Sequence, residues 1–287
     1  MSARQQGLFG LDGGSHECVH WVSDHATGLR AIIAIHNTAR GPAFGGCRMR
    51  RYASEEEALS DALRLSQGMS LKNALADLPF GGGKAVIMAP AGDFDRQALF
   101  TAFGRAVDGL GGRYITAEDV GTTTDDMKTL RRVTAHVSGI PRTDAFGGDP
   151  SPKTALGVFV SIEEAVRRHL KRPGLAGTTV AVQGLGAVGA HLCGLLHQAG
   201  AQLLVADVNA ARVLDMQARF GATPVPVEEV CALKVDVLAP CALGAVIDEG
   251  SIPRLQAQIV AGAANNQLAT PADGKRIHQR GILYLPD

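Results

Sequence analysis

The chain has 287 residues, 46% hydrophobic, 20% charged and 5% aromatic, apolar enough for one large domain or two ordinary ones. Its 28 basic residues balance 28 acidic ones, so no cationic surplus exists to displace phosphate counterions, and a general nucleic-acid binder is excluded. Apolar runs fall far short of the ~20 residues that span a bilayer, and MSARQQGLFGLDGG lacks a signal peptide's apolar stretch, so no membrane partner and a soluble, cytoplasmic protein are expected.

In chain order, Leu29–Ile35 (LRAIIAI) is rich in β-branched residues and reads as a strand. Ser54-Glu55-Glu56-Glu57 has the form of a capping box. It opens a helix whose Ala58, Leu59, Ala62, Leu63 and Met69 recur at helical spacing and which projects towards Lys72. A turn at Pro79 and Gly81-Gly82-Gly83 should lead into a strand at Lys84–Met88, followed by a helix near Asp95–Asp108, a strand at Arg113–Ala117 and a helix at about Thr124–Val137.

The texture changes after Gly147-Gly148-Asp149-Pro150. Ser151-Pro152 reads as a capping hydroxyl followed by proline at the first position of a helix running to about Leu170. Short strands at 178–183, 202–207, 223–225, 235–239, 258–263 and 282–285 then alternate with helices, the pattern of a parallel sheet covered on both faces. Two α/β domains follow, at 1–150 and 151–287. The five cysteines, Cys18, Cys47, Cys193, Cys231 and Cys241, form no CxxC pair, and the nine histidines are read as carrying no metal site.

Gly184-Leu185-Gly186-Ala187-Val188-Gly189 spells GxGxxG between the strand TVAVQ and the helix AHLCGLLHQAG. Gly184 permits the tight turn, Gly186 lets backbone N–H groups approach a pyrophosphate, and Gly189 allows close helix–strand packing. The next strand, LLVAD, ends in Asp207 just before Val208, where a carboxylate can accept from ribose hydroxyls and would repel a 2′-phosphate. NAD is therefore favoured, with Arg212 leaving NADP open.

Two lysines lie in apolar, glycine-rich surroundings: Lys72 in GMSLKNALADLPF and Lys84 in FGGGKAVI. Burial disfavours an ammonium and lowers its pKa, which makes a lysine a base near neutral pH. Leu78 and Ala85 stand where a phosphate-binding Walker loop needs glycine and a hydroxyl, so GGGK is not one. Asp119, in RYITAEDVGTT, follows an expected strand at the end where ligands bind open α/β sheets. The plain alternative is two surface lysines and a capping aspartate.

Together, GPAFGGCRMRRY, LRLSQGMSLKNALADLPFGGGKAVI, RYITAEDVGTT, GGDPSPKTALGV, VAVQGLGAVG, APCALGAVI and IVAGAANNQL resemble, in this order, the glutamate/leucine/phenylalanine/valine dehydrogenases, closest to the leucine branch. The resemblance runs from near His16 to Asp287. It implies an N-terminal α/β substrate domain with a mostly parallel sheet and a C-terminal Rossmann domain binding NAD. The implied reaction is oxidative deamination of a branched-chain L-amino acid to its 2-oxo acid and ammonia, and the reverse. Lys72 matches the lysine that pairs with the substrate carboxylate, Lys84 the lysine that activates water, and Asp119 the acid that exchanges protons with the substrate nitrogen.

Phe44, Gly45, Gly81, Gly82 and Asn266 match the substrate side; Thr154, Asp207, Val208, Cys241, Ala242 and Asn265, with the glycine loop, match the cofactor side. A homo-oligomer built through the N-terminal domain is implied. Phe44 stands where the leucine branch has leucine, which is expected to favour smaller aliphatic substrates. A valine- or phenylalanine-preferring relative is the alternative. The chain stops at ILYLPD, where the family continues into closing helices, so a catalytically weak NAD-binding protein is a further alternative.

Overall fold

The computed structural model describes residues 15–140 and 148–286; the opening segment MSARQQGLFGLDGG and Gly147, both named above, lie outside them. The chain divides into two compact units, Met1–Asp149 and Pro150–Asp287.

The first unit is built on strands β1 (Cys18–Asp24), β2 (Leu29–Asn37), β3 (Ala43–Phe44), β4 (Cys47–Arg50), β5 (Gly81–Met88) and β6 (Tyr114–Ile115). Its helices are α1 (Glu55–Leu75), α2 (Arg96–Asp108) and α3 (Thr124–Arg131). The strand order is β1-β2-β5-β3-β6, with β4 also paired to β5. β3 and β4 run parallel to β5, and β3 parallel to β6, whereas β1–β2 and β2–β5 are antiparallel. Period-two alternation sends Ile32, Ala34 and Val86 against Ala58, Leu59, Ala62 and Leu63 of α1. The intervening Ile33, Ile35, Ala85 and Ile87 pack on Leu99, Phe100 and Phe103 of α2 and Met127 and Leu130 of α3. Lys84, two residues before Val86, therefore falls on the α1 side of the sheet.

Four local expectations change. Gly81–Gly83 are not a turn but the first three residues of β5, all buried. Ser54 Oγ accepts from the Glu57 N–H at 3.2 Å, but the Glu57 carboxylate takes the Ala53 N–H at 2.7 Å, so only half of the capping box forms. The helix from Thr124 stops at Arg131, because Val137 turns back to bridge Thr116 beside the sheet. β1 was not anticipated; Cys18–Asp24 is a half-exposed edge strand with little apolar signal.

The second unit carries α4 (Ser151–His169), β7 (Thr179–Gln183), α5 (Ala187–Gln198), β8 (Gln202–Ala206), α6 (Ala210–Phe220), β9 (Thr223–Pro224), β10 (Val237–Pro240), β11 (Ile259–Ala261), α7 (Pro271–Gln279) and β12 (Leu283–Leu285). The sheet runs β12-β11-β10-β7-β8-β9, every pairing parallel. Val180, Val182, Val205, Val237 and Ile259 share a core with Ile162 and Val166 of α4 and Leu192 and Leu196 of α5. Ala181, Ala206, Leu238 and Val260 turn to the other face, against Ile277 of α7. The chain leaves β7 towards β8 on one side and resumes at β10 on the other, a reversal of strand order at whose carboxyl ends open α/β sheets bind ligands. Ser151 is the first helical residue of α4 rather than its cap, and Pro150 precedes it without a side-chain capping bond.

Candidate active site

Backbone contact made possible by glycine assembles the site of the first unit. A Cβ on Gly45 would lie 1.9 Å from the Gly83 carbonyl oxygen; one on Gly46 would meet the Glu118 carbonyl at 2.5 Å and Asp119 Cβ at 2.9 Å. On the α1 side, a Cβ on Gly82 would lie 2.1 Å from Ser70 Oγ. No other residue lets β5, the β3–β4 turn and the 117–119 segment lie so close. The Cys47 N–H donates to the Ala117 carbonyl at 2.8 Å and the Asp119 N–H to Thr122 Oγ1 at 2.9 Å, which fixes Asp119 beside β5.

Lys84 Nζ then lies 3.0 Å from Asp119 Oδ2, with side-chain exposures of 5% and 17%. Burial lowers the Lys84 pKa; the Asp119 charge opposes that shift and Arg48 adds to it. Burial raises the Asp119 carboxyl, but Lys84 and Arg48 outweigh it and bring it to about 2. The pair is thus a lysine inclined to release its proton and a carboxylate inclined to stay charged. The plain reading of a surface lysine does not hold for Lys84.

The third member, Arg48, was missed from sequence. Its Nε donates to Asp119 Oδ2 at 2.9 Å, and NH1 lies 3.2 Å from Asp61 Oδ2, which also accepts from the Tyr52 hydroxyl at 2.7 Å. A signal was present in Cys47-Arg48-Met49-Arg50: β4 aligns Arg48 with Val86 and Arg50 with Met88, so both arginines share the α1 side.

Lys72 occupies the last turn of α1, half-buried. Met69, one turn earlier on the same helix face, has its Cγ 3.0 Å from the position of a Gly45 Cβ, so that face overlies the β3–β4 turn. Next to Lys72, Asn73 donates its amide to the Gly81 carbonyl at 2.6 Å. Phe44 stacks on Phe80 with ring centroids 5.1 Å apart. Gly45, Gly81 and Gly82 are buried beneath protein atoms.

One motif escaped the histidine reading. His16-Glu17-Cys18-Val19-His20 spells HExxH, which holds zinc when a helix brings both rings to one face. Here Cys18–Asp24 is a strand, His16 Nε2 lies 2.8 Å from Ser66 Oγ, and His20 Nε2 lies 3.3 Å from Cys18 Sγ. Among the described residues no cluster of His, Cys, Asp and Glu could hold a metal ion.

In the second unit the GxGxxG loop joins β7 to α5. Gly184 has φ +93°, and a Cβ there would lie 2.7 Å from the Ala242 nitrogen; one on Gly189 would lie 2.0 Å from the Gly184 carbonyl. A Cβ on Gly186 would meet nothing within 4 Å. Gly186 precedes α5 without a side-chain capping bond, the arrangement that leaves a helix N-terminus available to an anion. Asp207 fastens the loop: Oδ2 accepts from the Leu185 N–H at 2.6 Å and Oδ1 from the Asn209 N–H at 2.7 Å, while Arg212 NH1 stands 3.7 Å from Oδ2.

Leu185 is buried, Val188 half-buried and Ala187 exposed; Val208 is fully out in solvent at 91% exposure. Cys241 and Ala242 follow β10, and the Cys241 N–H donates to the Gln183 carbonyl at 2.7 Å. Asn265 and Asn266 follow β11 at the same end of the sheet, and a Cβ on Gly244 would lie 2.2 Å from the Asn265 carbonyl. Thr154, exposed in the first turn of α4, donates its hydroxyl to the Pro150 carbonyl at 3.1 Å. Open space at Gly186, an uncapped helix and an acid at the end of β8 fit a dinucleotide.

Two family profiles match: "Glu/Leu/Phe/Val dehydrogenase, dimerisation domain" over residues 16–136, and "Glutamate/Leucine/Phenylalanine/Valine dehydrogenase" over 149–215 and 201–287. The chain is 48% identical to a leucine dehydrogenase of Geobacillus stearothermophilus over 272 residues, 95% of this chain and 74% of that protein. It resembles the crystal structure of L-tryptophan dehydrogenase from Nostoc punctiforme with a TM-score of 0.71 and 45% identity, covering 95% of this chain and 78% of that one. Hetero-hexameric glutamate dehydrogenase from Thermus thermophilus (Leu bound form) matches with a TM-score of 0.77 and 26% identity, over 95% and 72% of the two chains. The chain belongs to the glutamate/leucine/phenylalanine/valine dehydrogenase family and is an amino-acid dehydrogenase.

Proposed function

We propose that the protein catalyses NAD-dependent oxidative deamination of a branched-chain, leucine-like L-amino acid to its 2-oxo acid and ammonia, and the reverse reductive amination. The observation that carries this reading is the buried Lys84–Asp119 pair, 3.0 Å apart, with Lys84 lowered and Asp119 held charged. When bound, the nicotinamide accepts the hydride that leaves the substrate Cα. Lys72 pairs with the substrate carboxylate and orients it. Neutral Lys84 takes a proton from water as that water attacks the imine carbon; Asp119 exchanges protons with the substrate nitrogen as ammonia leaves. Because Lys84 must be unprotonated, kcat/KM for deamination falls as pH drops through its lowered pKa.

NAD rather than NADP follows from Asp207, whose carboxylate at the end of β8 would repel a 2′-phosphate. Gly184–Gly189 hold the pyrophosphate; Val208, Cys241, Ala242, Asn265 and Thr154 are assigned to the cofactor and Asn266 to the substrate side. Residues 1–150 serve as the substrate and oligomerisation domain of a homo-oligomer, and 151–287 as the cofactor domain; the match of 16–136 to a dimerisation domain supports that division. Free cysteines throughout suit a cytoplasmic setting.

Identity to the leucine dehydrogenase supports an aliphatic substrate, and the likeness to the tryptophan enzyme supports an aromatic one. The deciding experiment measures NADH formation at 340 nm with valine, leucine, phenylalanine and tryptophan. A higher kcat/KM for leucine or valine bears out the proposal, and an aromatic optimum replaces it. Absence of turnover with retained NADH binding would leave a nucleotide-binding protein.

A further inference from the structure

Arg48 is almost completely buried, at 6% exposure, although it is not among the residues to which the chemistry above gives a role. Its planar fork reaches two acids in different directions: Nε to Asp119 on the 117–119 segment and NH1 to Asp61 on α1. Lysine offers a single point charge and could not span both. Lys84 and Arg48 address the same oxygen, Oδ2, leaving Oδ1 outside both bonds.

We propose that Arg48 is a positioning residue for the deamination chemistry: anchored by Asp61, it is a permanent second counter-ion that orients Asp119 and keeps it paired whenever Lys84 is neutral. This rests on reading Lys84 as the base. Were Lys84 the only cation beside Asp119, its deprotonation would strand a buried carboxylate, and the cost would lock the lysine in its charged form. A guanidinium cannot be deprotonated in a protein, so the second cation persists through the catalytic cycle. Asp119 and Asp61 more than offset the burial that disfavours the Arg48 charge.

The other groups on elements packed around Lys84 do not substitute for it. Cys47 of β4 is pushed up to about 12 by burial and stays a neutral thiol. Tyr52, behind Asp61, is raised above its ordinary value chiefly by burial. Glu118, next to Asp119, is raised by burial and neighbouring acids. Lys72 of α1 is reserved for the substrate carboxylate, Arg50 bonds Glu57, and His36 of β2 bonds Ser70.

The test compares pH profiles of kcat/KM for the intact chain and its Arg48→Gln, Arg48→Lys and Asp61→Asn variants. Removing the Arg48 charge takes away one of the causes that lower the Lys84 pKa, so the acid limb of Arg48→Gln moves up by about one pH unit, the scale on which a neighbouring like charge shifts an amine. Arg48→Lys restores the charge and part of the wild-type profile. Asp61→Asn removes an anion while its amide oxygen can still accept from Arg48, and its acid limb moves down. Opposite movements are not produced by loosened packing.

A second readout needs no turnover: the pH dependence of Lys84 acylation by acetic anhydride, followed by peptide mass mapping, must shift with the same signs. Should Arg48→Gln fail to fold, Asp61→Asn and Arg48→Lys still carry the test. Profiles that coincide with wild type overturn the role of Arg48. Lys84→Ala separates the two claims: if it is inactive while Arg48 variants are unshifted, only the Arg48 proposal fails, and if it turns over, the reading of Lys84 as the base fails.

Discussion

Gly45 in the first unit and Gly186 in the second lack a Cβ for opposite reasons. The space at Gly45 is filled by the Gly83 carbonyl, 1.9 Å from where a Cβ would sit; the space at Gly186 contains nothing within 4 Å. One glycine lets the protein touch itself, and its neighbours Gly46, Gly82 and Gly83 do the same. That contact delivers Asp119 to Lys84. The other leaves open space at the start of a helix, the arrangement that suits an approaching anion. In these two motifs glycine thus serves two purposes, distinguished by whether protein atoms occupy the missing side chain's volume.

The sharpest break to that comparison comes from the charge the packed glycines deliver. Lys84→Ala should lower kcat for deamination by about 10³-fold, the scale of a lost general base, while NADH affinity, measured by fluorescence titration, stays within a few fold. A comparable loss of NADH binding would place Lys84 in the cofactor site instead. Next in size is Gly45→Ala, whose added methyl collides with backbone that has no route of escape; a destabilisation of about 3 kcal/mol is expected in urea unfolding.

Gly186→Ala should do the reverse. Its φ of −68° suits alanine and its surroundings are open, so Tm should hold within about 2 °C. NADH affinity should fall on the order of tenfold as the methyl occupies the space a pyrophosphate needs. A loss of stability at unchanged affinity would make Gly186 another packing glycine.

The second unit was legible almost strand by strand because its signals are local. Each buried parallel strand is a short apolar run, and GxGxxG lies between one such run and a helix. Lys84 and Asp119 were legible as residues that meet in one site only through the resemblance, not from their spacing, since their contact depends on β5 lying beside the 117–119 segment. Arg48 and Asp61 were not singled out: charges on β4 and α1 look like solvated faces until the strand register turns Arg48 to the α1 side, where it meets Asp61. Gly81–Gly83 misled for a related reason, because glycine usually marks a turn and here serves the interior of a strand.

The smallest expected effect concerns which amino acid enters. Phe44 borders the glycine contacts and stacks on Phe80, so its ring is held in place by a partner as well as by β3. Phe44→Leu removes that stack, costing about 1 kcal/mol of stability, and returns the smaller side chain of the leucine branch beside Gly45. If the ring limits side-chain length, the variant gains on leucine relative to valine in kcat/KM, by up to about tenfold, the worth of one methylene-sized change in a hydrophobic pocket. Phe80→Leu would release the Phe44 ring without removing it, and should move the ratio the same way by less. An unchanged ratio in both variants would assign the stack to packing alone, a side-chain counterpart of Gly45.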